Sequence, residues 1–513
     1  MIEEIELGGI KVPLRDLEIT PESIKQVLKI LLEERKETKQ RIEELEERVN
    51  KNSKNSSMPP SKNGFGVNAD KKGKAKRKPL KLTVARGKAE RKLYAVEECE
   101  TVQEEKPSKC SKCGYELKGE DPHPHRHQIV ELPVLKSQVT EYRLHSLECE
   151  HCGSKSRGKL PAGVTEKSYG ARLAALVGVL SVEARESHRQ IQGLLREVFG
   201  IEIGRGTINN IRQEVSEAIA AANEEAKEYA KQQPVLNCDE TGFSQQNRDG
   251  NNPTEKKAWL WVLVTPWISI FLVTLSRSQE VAKQLIGETF TGYLGSDRYG
   301  SYSWVKPELR QLCWSHVLRD FQAMAERTGA SQEIGTALLA RGYRLFHWWH
   351  KARDGTLSKE LFIEAVELLR WGMHQELMSA AAIEIGWREK SPLAKTVRTC
   401  RKLLKVEAAL WTFVYREGVE PTNNSAERAL RPAVIWRNLS FGSQSQAGSE
   451  FVSRMLTVNH SLKLQGRSVL DFLTQSCLAA RLGEQPPSLI PVVQEPAVSN
   501  PRPLIFWRCL IRV

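Results

Sequence analysis

"PVLNCDETGF", residues 234–243, marks the point where the chain changes its period. The runs "KAWLWVLV", "WISIFLVTL", "GYLGSDRYGSY" and "RQLCWSHV" follow it, with a helical piece "SQEVAKQLIGE" ahead of "GYLGSDRYGSY". Short runs rich in Val, Ile, Leu and aromatics, bounded by Gly, Pro and Asp, read as strands. Three strands, a helix and further strands predict a mixed α/β sheet. Within this region "AWLWVLVTPWISIFLVTL", residues 258–275, carries no charge over 18 residues, the lower limit for a membrane-spanning helix. Pro266 sits at its middle after Thr265, and its flanks are β-branched and aromatic. A buried β-hairpin is the expectation, with no membrane partner.

Asp239 ends the first run and Asp297 the fourth. An acid at the end of an apolar strand sits at the sheet edge, where side chains from neighbouring strands converge. A third acid, Glu427, lies in the helical stretch "TNNSAERALRPAVIWRNLSFGS", residues 422–443, among Asn423, Asn424, Arg428, Arg431 and Arg437. Taken singly these are a turn residue, a strand cap and a surface ion-pair partner worth little. Together they are three carboxylates able to surround two divalent cations. Phosphodiester cleavage needs a water or hydroxyl activated on one face of phosphorus and a leaving oxygen stabilised on the other, and two metals about 3.5–4 Å apart serve both. Hard Mg²⁺ prefers carboxylate oxygen. The arginines and asparagines beside Glu427 would meet phosphates or orient the ligands.

At 513 residues the chain exceeds one hydrophobic core. Its net charge of +13 comes almost wholly from residues 51–92, with 14 Lys and Arg against 2 acids. Such a run is solvated, and either attracts a polyanion or keeps the chain soluble. Residues 21–50 carry Ile24, Val27, Leu28, Leu31, Ile42, Leu45 and Val49 at helical spacing, interrupted after Leu32; a short coiled coil and an ordinary amphipathic helix both fit. The knuckles "CSKC" (Cys110, Cys113) and "CEHC" (Cys149, Cys152) supply two thiolate pairs, enough to close a tetrahedral structural Zn²⁺ site. Two unrelated cysteine pairs are the bland reading. Residues 168–228 are helical throughout, and the helix near Thr207 would present Asn209, Asn210 and Arg212 to a DNA groove if this is a helix-turn-helix; a three-helix packing unit is the other reading. The acidic start "MIEEIELGG" does not resemble an export signal, so a cytoplasmic, thiol-reducing location is expected.

The strings "DET" at 239–241, "YLGSDRYGSY" at 293–302, "CWSHVLRDF" at 313–321 and "NNSAERALRP" at 423–432 resemble the insertion sequence 66 family of bacterial DDE transposases. The likeness covers about residues 20–480, including "KNSKNSSMPPSKN" and the cysteine knuckles. It implies an RNase H-like catalytic fold with Asp239, Asp297 and Glu427 as metal-binding triad, supported by His316, Arg319, Asn424 and Arg428, and with Arg431 and Arg437 on DNA. Thr422 stands where the family often has Asp, and "WRNLSF" replaces an Arg-Lys-Asn-Trp stretch. The expected architecture is multidomain α+β: 1–50 an N-terminal amphipathic helix or short coiled coil, 51–95 a basic linker, 96–165 a zinc-ribbon-like module and 166–230 a helix-turn-helix domain. Then come 231–320 as the first part of the catalytic core, 321–420 a helical insertion, 421–484 the second part with the Glu427 helix, and 485–513 a proline-rich tail.

The function this implies is a nucleoid-associated DNA transposase that binds terminal inverted repeats and uses two Mg²⁺ or Mn²⁺ ions for hydrolysis and strand transfer. Its partners would be double-stranded element ends and target DNA, further copies of itself on that DNA, and small accessory proteins of the same element. The rivals are an RNase H-like nuclease, and a zinc-dependent DNA-binding regulator or inactive remnant.

Overall fold

The structure, a computed structural model, describes residues 92–491 together with a hairpin of β1 (Glu4–Leu7) and β2 (Ile10–Pro13). The stretch expected as helix over 1–50 therefore opens on paired strands. Leu7 pairs with Ile10 across Gly8 and Gly9, a Gly-Gly dipeptide being a strong hairpin signal. The expected helix over 21–50, nearly all of the basic linker and most of the proline-rich tail lie outside the described residues.

Residues 92–165 hold little regular structure beyond a small hairpin, β3 (Ser146–Glu148) with β4 (Lys155–Arg157). The helical stretch then resolves into α1 (Ala171–Val182), α2 (His188–Phe199), α3 (Arg205–Ala218) and α4 (Ala220–Lys231). A reciprocal capping box of Ser187 and Gln190 starts α2, and Gly200, left-handed at φ 64°, ends it.

The expected sheet follows: β5 (Val235–Phe243), β6 (Ala258–Val264), β7 (Ser269–Thr274), helix α5 (Gln279–Ile286), β8 (Tyr293–Ser296) and β9 (Arg310–Leu312). Its spatial order is β7-β6-β5-β8-β9. The first three strands form an antiparallel meander, whereas β8 runs parallel to β5 and β9 parallel to β8. The uncharged run 258–275 is thus the buried β6–β7 hairpin. Among the described residues no helix is long and apolar enough to cross a membrane.

Between β9 and the Glu427 helix the chain builds α6 (Trp314–Ala325), α7 (Ala330–Arg353), α8 (Lys359–Ala382), α9 (Pro392–Leu404) and α10 (Thr412–Tyr415) around a core of their own, including Trp314, Phe321, Leu338, Val366 and Trp411. The chain closes with α11 (Asn424–Ser440), α12 (Gln446–Leu464) and α13 (Val469–Leu482). Helices α1, α3 and α4 share one continuous core with the sheet, α12 and α13. The 166–230 stretch therefore does not stand apart: Ile191, Ile208, Ile211 and Val215 belong to the same core as the sheet.

Strand β7 is an edge whose outward amides would be left unpaired. Helix α12 answers them with hydroxyls spaced four residues apart: Ser269 N–H donates to Ser461 Oγ at 3.0 Å, Phe271 N–H to Thr457 Oγ1 at 2.9 Å and Val273 N–H to Ser453 Oγ at 3.0 Å. Two strand residues advance about 6.7 Å and four helix residues about 6 Å, so one ladder matches the other. Replacing Thr457 with Val keeps the shape and strands a buried N–H, so Thr457→Val should lower stability by about 1–3 kcal/mol, read as a lower urea midpoint at unchanged m-value.

Candidate active site

Register brings the two aspartates together. Strand β5 pairs with β8 as Val235↔Tyr293, Leu236↔Leu294 and Asn237↔Gly295. Asp239 and Asp297 each lie two residues beyond the last of these pairs, Asp239 still within β5 and Asp297 one residue past the end of β8, and the Asp297 charge reaches Asp239. Asp239 does not end its strand, as the sequence reading expected. The β6 side of the ladder continues to Phe243↔Ala258 while the β8 side stops at Asn237, so Asp239 sits where the sheet splits. At the last pair the Asn237 amide lies over Gly295, and a Cβ there would displace it. Asp239 Oδ1 accepts the N–H of Glu240 at 3.0 Å, and Asp297 Oδ1 that of Tyr299 at 2.8 Å. Arg310, buried, donates to the Asp297 carbonyl at 2.9 Å and holds the turn from beneath.

Glu427 comes from the first turn of α11, which packs on β5. Its position is fixed by the preceding residue pair. Asn423 Nδ2 donates to the carbonyl of Cys238, the neighbour of Asp239, at 2.8 Å, and Asn423 N–H donates to Cys313 Sγ at 3.2 Å. At the far end of α11, Ser443 N–H donates to Ser244 O at 2.9 Å and Gln246 N–H to Ser443 O at 2.9 Å. Gly442, left-handed at φ 96°, allows that approach: a Cβ there would meet Ser244 O at 2.1 Å.

The charges of Asp297 and Glu427 reach Asp239, although the three carboxylates do not come within 4.8 Å of one another as one group. Burial pushes the Asp239 carboxyl well above the usual range, and the charges of Glu240, Asp297 and Glu427 push it further. Burial also raises Glu427, opposed first by Arg319, then Arg431, with Asp297 raising and Arg428 lowering it. His316 is held neutral by burial and the Arg319 charge, its pKa lowered to about 4. Its Nδ1 lies 3.7 Å from Glu427 Oε1, too far for a hydrogen bond, and both atoms are buried without a partner. A carboxylate oxygen left bare in this way fits a divalent cation, which would also relieve the mutual repulsion.

Of the remaining expected residues, Asn424 and Arg431 are exposed beside Glu427, as is Arg428. Arg437 is not available to DNA in the same way: its guanidinium donates to Thr241 Oγ1 at 2.9 Å and to the Gly242 carbonyl, stitching α11 to the end of β5. Past that end opens a cleft of about 910 Å³ lined by Gln246, Asn247, Arg248, Lys256, Lys257 and Gln444 among others. Asn209 and Asn210 are exposed on α3. Arg212 is a correction, because its charged head turns inward: it lies 4.2 Å over the Phe451 ring and against His188 Nε2, and burial lowers its pKa to about 10.

The two cysteine knuckles share one fold. In each, the first cysteine's N–H donates to the carbonyl five residues on (Cys110 to Tyr115, Cys149 to Ser154, both 2.8 Å), and a left-handed glycine returns an N–H to that cysteine (Gly114 2.9 Å, Gly153 2.8 Å). The backbone of Lys112 and Cys113, then the Cys113 thiol, lower the Cys110 thiol pKa, and the Ser154 hydroxyl and backbone, then the Cys149 thiol, lower that of Cys152. The four do not meet as one group. Among the described residues, the group of three close ligands is instead Cys313, His316 and Glu427. Cys313, Arg310 and the buried Glu240, which binds Arg277 and Tyr302, were not expected as site residues. Cys313 and Glu240 carried a signal, lying inside "CWSH" and "DET".

Residues 167–451 match the model of the Transposase IS66 family, and residues 13–92 match a family of unknown function, DUF6444. The uncharacterized protein y4qI of Sinorhizobium fredii is 24% identical over 405 residues, covering 74% of this chain and 71% of that protein.

An acid whose folded pKa is raised binds its proton more tightly folded than unfolded. Asp239 therefore adds stability below the unfolded Asp value of about 3.9, and that contribution is lost as pH rises through the higher folded pKa. At neutral pH without divalent cations, Asp239→Asn should stabilise the protein by on the order of 1 kcal/mol. Magnesium should raise the thermal midpoint of the unsubstituted chain and have little effect on the variant, a difference readable by calorimetry.

Proposed function

The chain belongs to the IS66 family of transposases, whose model spans residues 167–451, and from that premise we propose a DNA transposase that cuts and joins phosphodiesters at Asp239, Asp297 and Glu427. The observation that carries the reading is two aspartates just beyond the paired ends of β5 and β8, close enough to a helix-borne glutamate for their charges to act together, with one glutamate oxygen bare and buried. The strand order, an antiparallel meander followed by two parallel strands beside its first member, supports an RNase H-like core.

The three carboxylates would hold two Mg²⁺ or Mn²⁺ ions. Bound there, the cations supply an activated water or 3′-hydroxyl and stabilise the leaving oxygen. The chain's own groups then do the rest. Arg319 draws Glu427 toward its charged form. Arg310 and the Tyr299 amide hold the Asp297 turn. Exposed Arg431 and the basic cleft past β5 give the DNA backbone a cationic path. Exposed Asn209 and Asn210 suit contact with the terminal repeats, and the two knuckles suit structural Zn²⁺ once a metal draws them together.

Purified protein with element-end DNA and Mg²⁺ should nick the ends and join the freed 3′-hydroxyl to target DNA. Asp239→Asn, Asp297→Asn and Glu427→Gln should each lower the rate by about 10³-fold or more, the equivalent of about 4 kcal/mol, while DNA binding in a mobility-shift assay survives. Cutting without joining would instead identify an RNase H-like nuclease, and binding without metal-dependent cleavage a DNA-binding regulator or inactive remnant. Chelation of zinc should unfold residues 96–165 selectively, seen as protease cleavage there; metal-free protein with an unchanged digestion pattern would refute the structural zinc.

A further inference from the structure

A second group of donors touches the triad from the side. Cys313, buried, sits at the start of α6, His316 one turn further along the same helix, and Glu427 across from them on α11. One ligand atom from each lies within 4.8 Å of the other two, and His316 Nδ1 to Glu427 Oε1 is 3.7 Å. Bond lengths of about 2.0–2.3 Å around a tetrahedral ion put its donors roughly 3.3–3.8 Å apart, so small side-chain rotations close the site. Neither the His316 nitrogen nor the Glu427 oxygen has another partner, although both are buried. Sulfur, imidazole and carboxylate on one ion is not a magnesium set; it selects a softer cation such as zinc or cobalt.

We propose that Cys313, His316 and Glu427 form a zinc-class site that shares Glu427 with the magnesium triad, so that zinc and magnesium compete for one carboxylate. The competition rests on the catalytic reading of Glu427; the site itself does not. Zinc bound to the sulfur and nitrogen draws Glu427 Oε1 toward α6, and one of the two ions that cleavage needs loses a ligand. Two Cys-x-x-Cys knuckles elsewhere in the chain also suit such ions, so the site has to be separated from them by substitution.

Cobalt titration of the full chain, followed by thiolate-to-cobalt absorption and metal content per chain, makes that separation. Compared with the unsubstituted protein, Cys313→Ser should lose about one equivalent of cobalt and its share of the sulfur band while the knuckle signal stays. Cys313→Ala is the second variant, and circular dichroism verifies that both are folded. In Mg²⁺-driven cleavage, Cys313→Ser should raise the zinc concentration giving half-inhibition by about tenfold or more. Equal cobalt content and identical spectra in folded variants would overturn the site. Equal zinc inhibition despite lost cobalt would overturn the competition. Absence of cleavage in the unsubstituted protein would refute the catalytic reading instead, and with it the competition, while the cobalt count still decides the site.

Discussion

One buried amide, Asn423, joins the segments that carry the three acids. Its side chain binds the carbonyl next to Asp239, and its own N–H binds Cys313. The Cys313 N–H in turn reaches Ser296 O, beside Asp297, at 2.9 Å, and Trp314 N–H reaches Pro421 O at 3.0 Å. Strand β5, strand β8, helix α6 and helix α11 thus meet within a few hydrogen bonds, all sheltered from water. A helical insertion with its own core separates Asp297 from Glu427 along the chain, so this knot is what lets a distant acid arrive beside the other two.

The knot has an electrostatic cost. Carboxylates brought together in a partly dry site repel, and burial alone raises two of them. Arg319 and Arg431 offset Glu427 but stand further from Asp239, whose largest opposing influence is only the Glu240 amide. Such a site is less stable than an uncharged one of the same shape, the usual trade of stability for function. On the opposite face of β5 burial raises the Glu240 carboxyl too, and hydrogen bonds from Tyr302 and Arg277, the latter lying against the Trp259 and Tyr299 rings, offset it in part.

Much of the sheet was legible because strands leave a local signature. The uncharged 258–275 run, broken by Pro266, could be told from a membrane helix on composition alone. The acids at 239 and 297 stood out because each follows an apolar run. Register was not legible: nothing in "VLNCDETGF" or "YLGS" says which residues pair, and the glycine at 295 only makes sense once Asn237 is seen to cover it. Arg212 misled for a related reason. On a helix surface an arginine reads as solvent-facing, but the long aliphatic stem let this one reach inward to Phe451. The 166–230 helices looked like a domain because their own period is clear, whereas the core they complete comes from α12 and α13, more than two hundred residues later.

The hydroxyl ladder on β7 has its counterpart across the sheet, where Thr412 donates to the Arg310 carbonyl of β9 and the Phe413 amide donates to Gln311 Oε1. The outward amides of β7 and the Arg310 carbonyl of β9 are thereby occupied against an incoming strand. At those positions the five-stranded sheet has no free backbone group to lend a second copy.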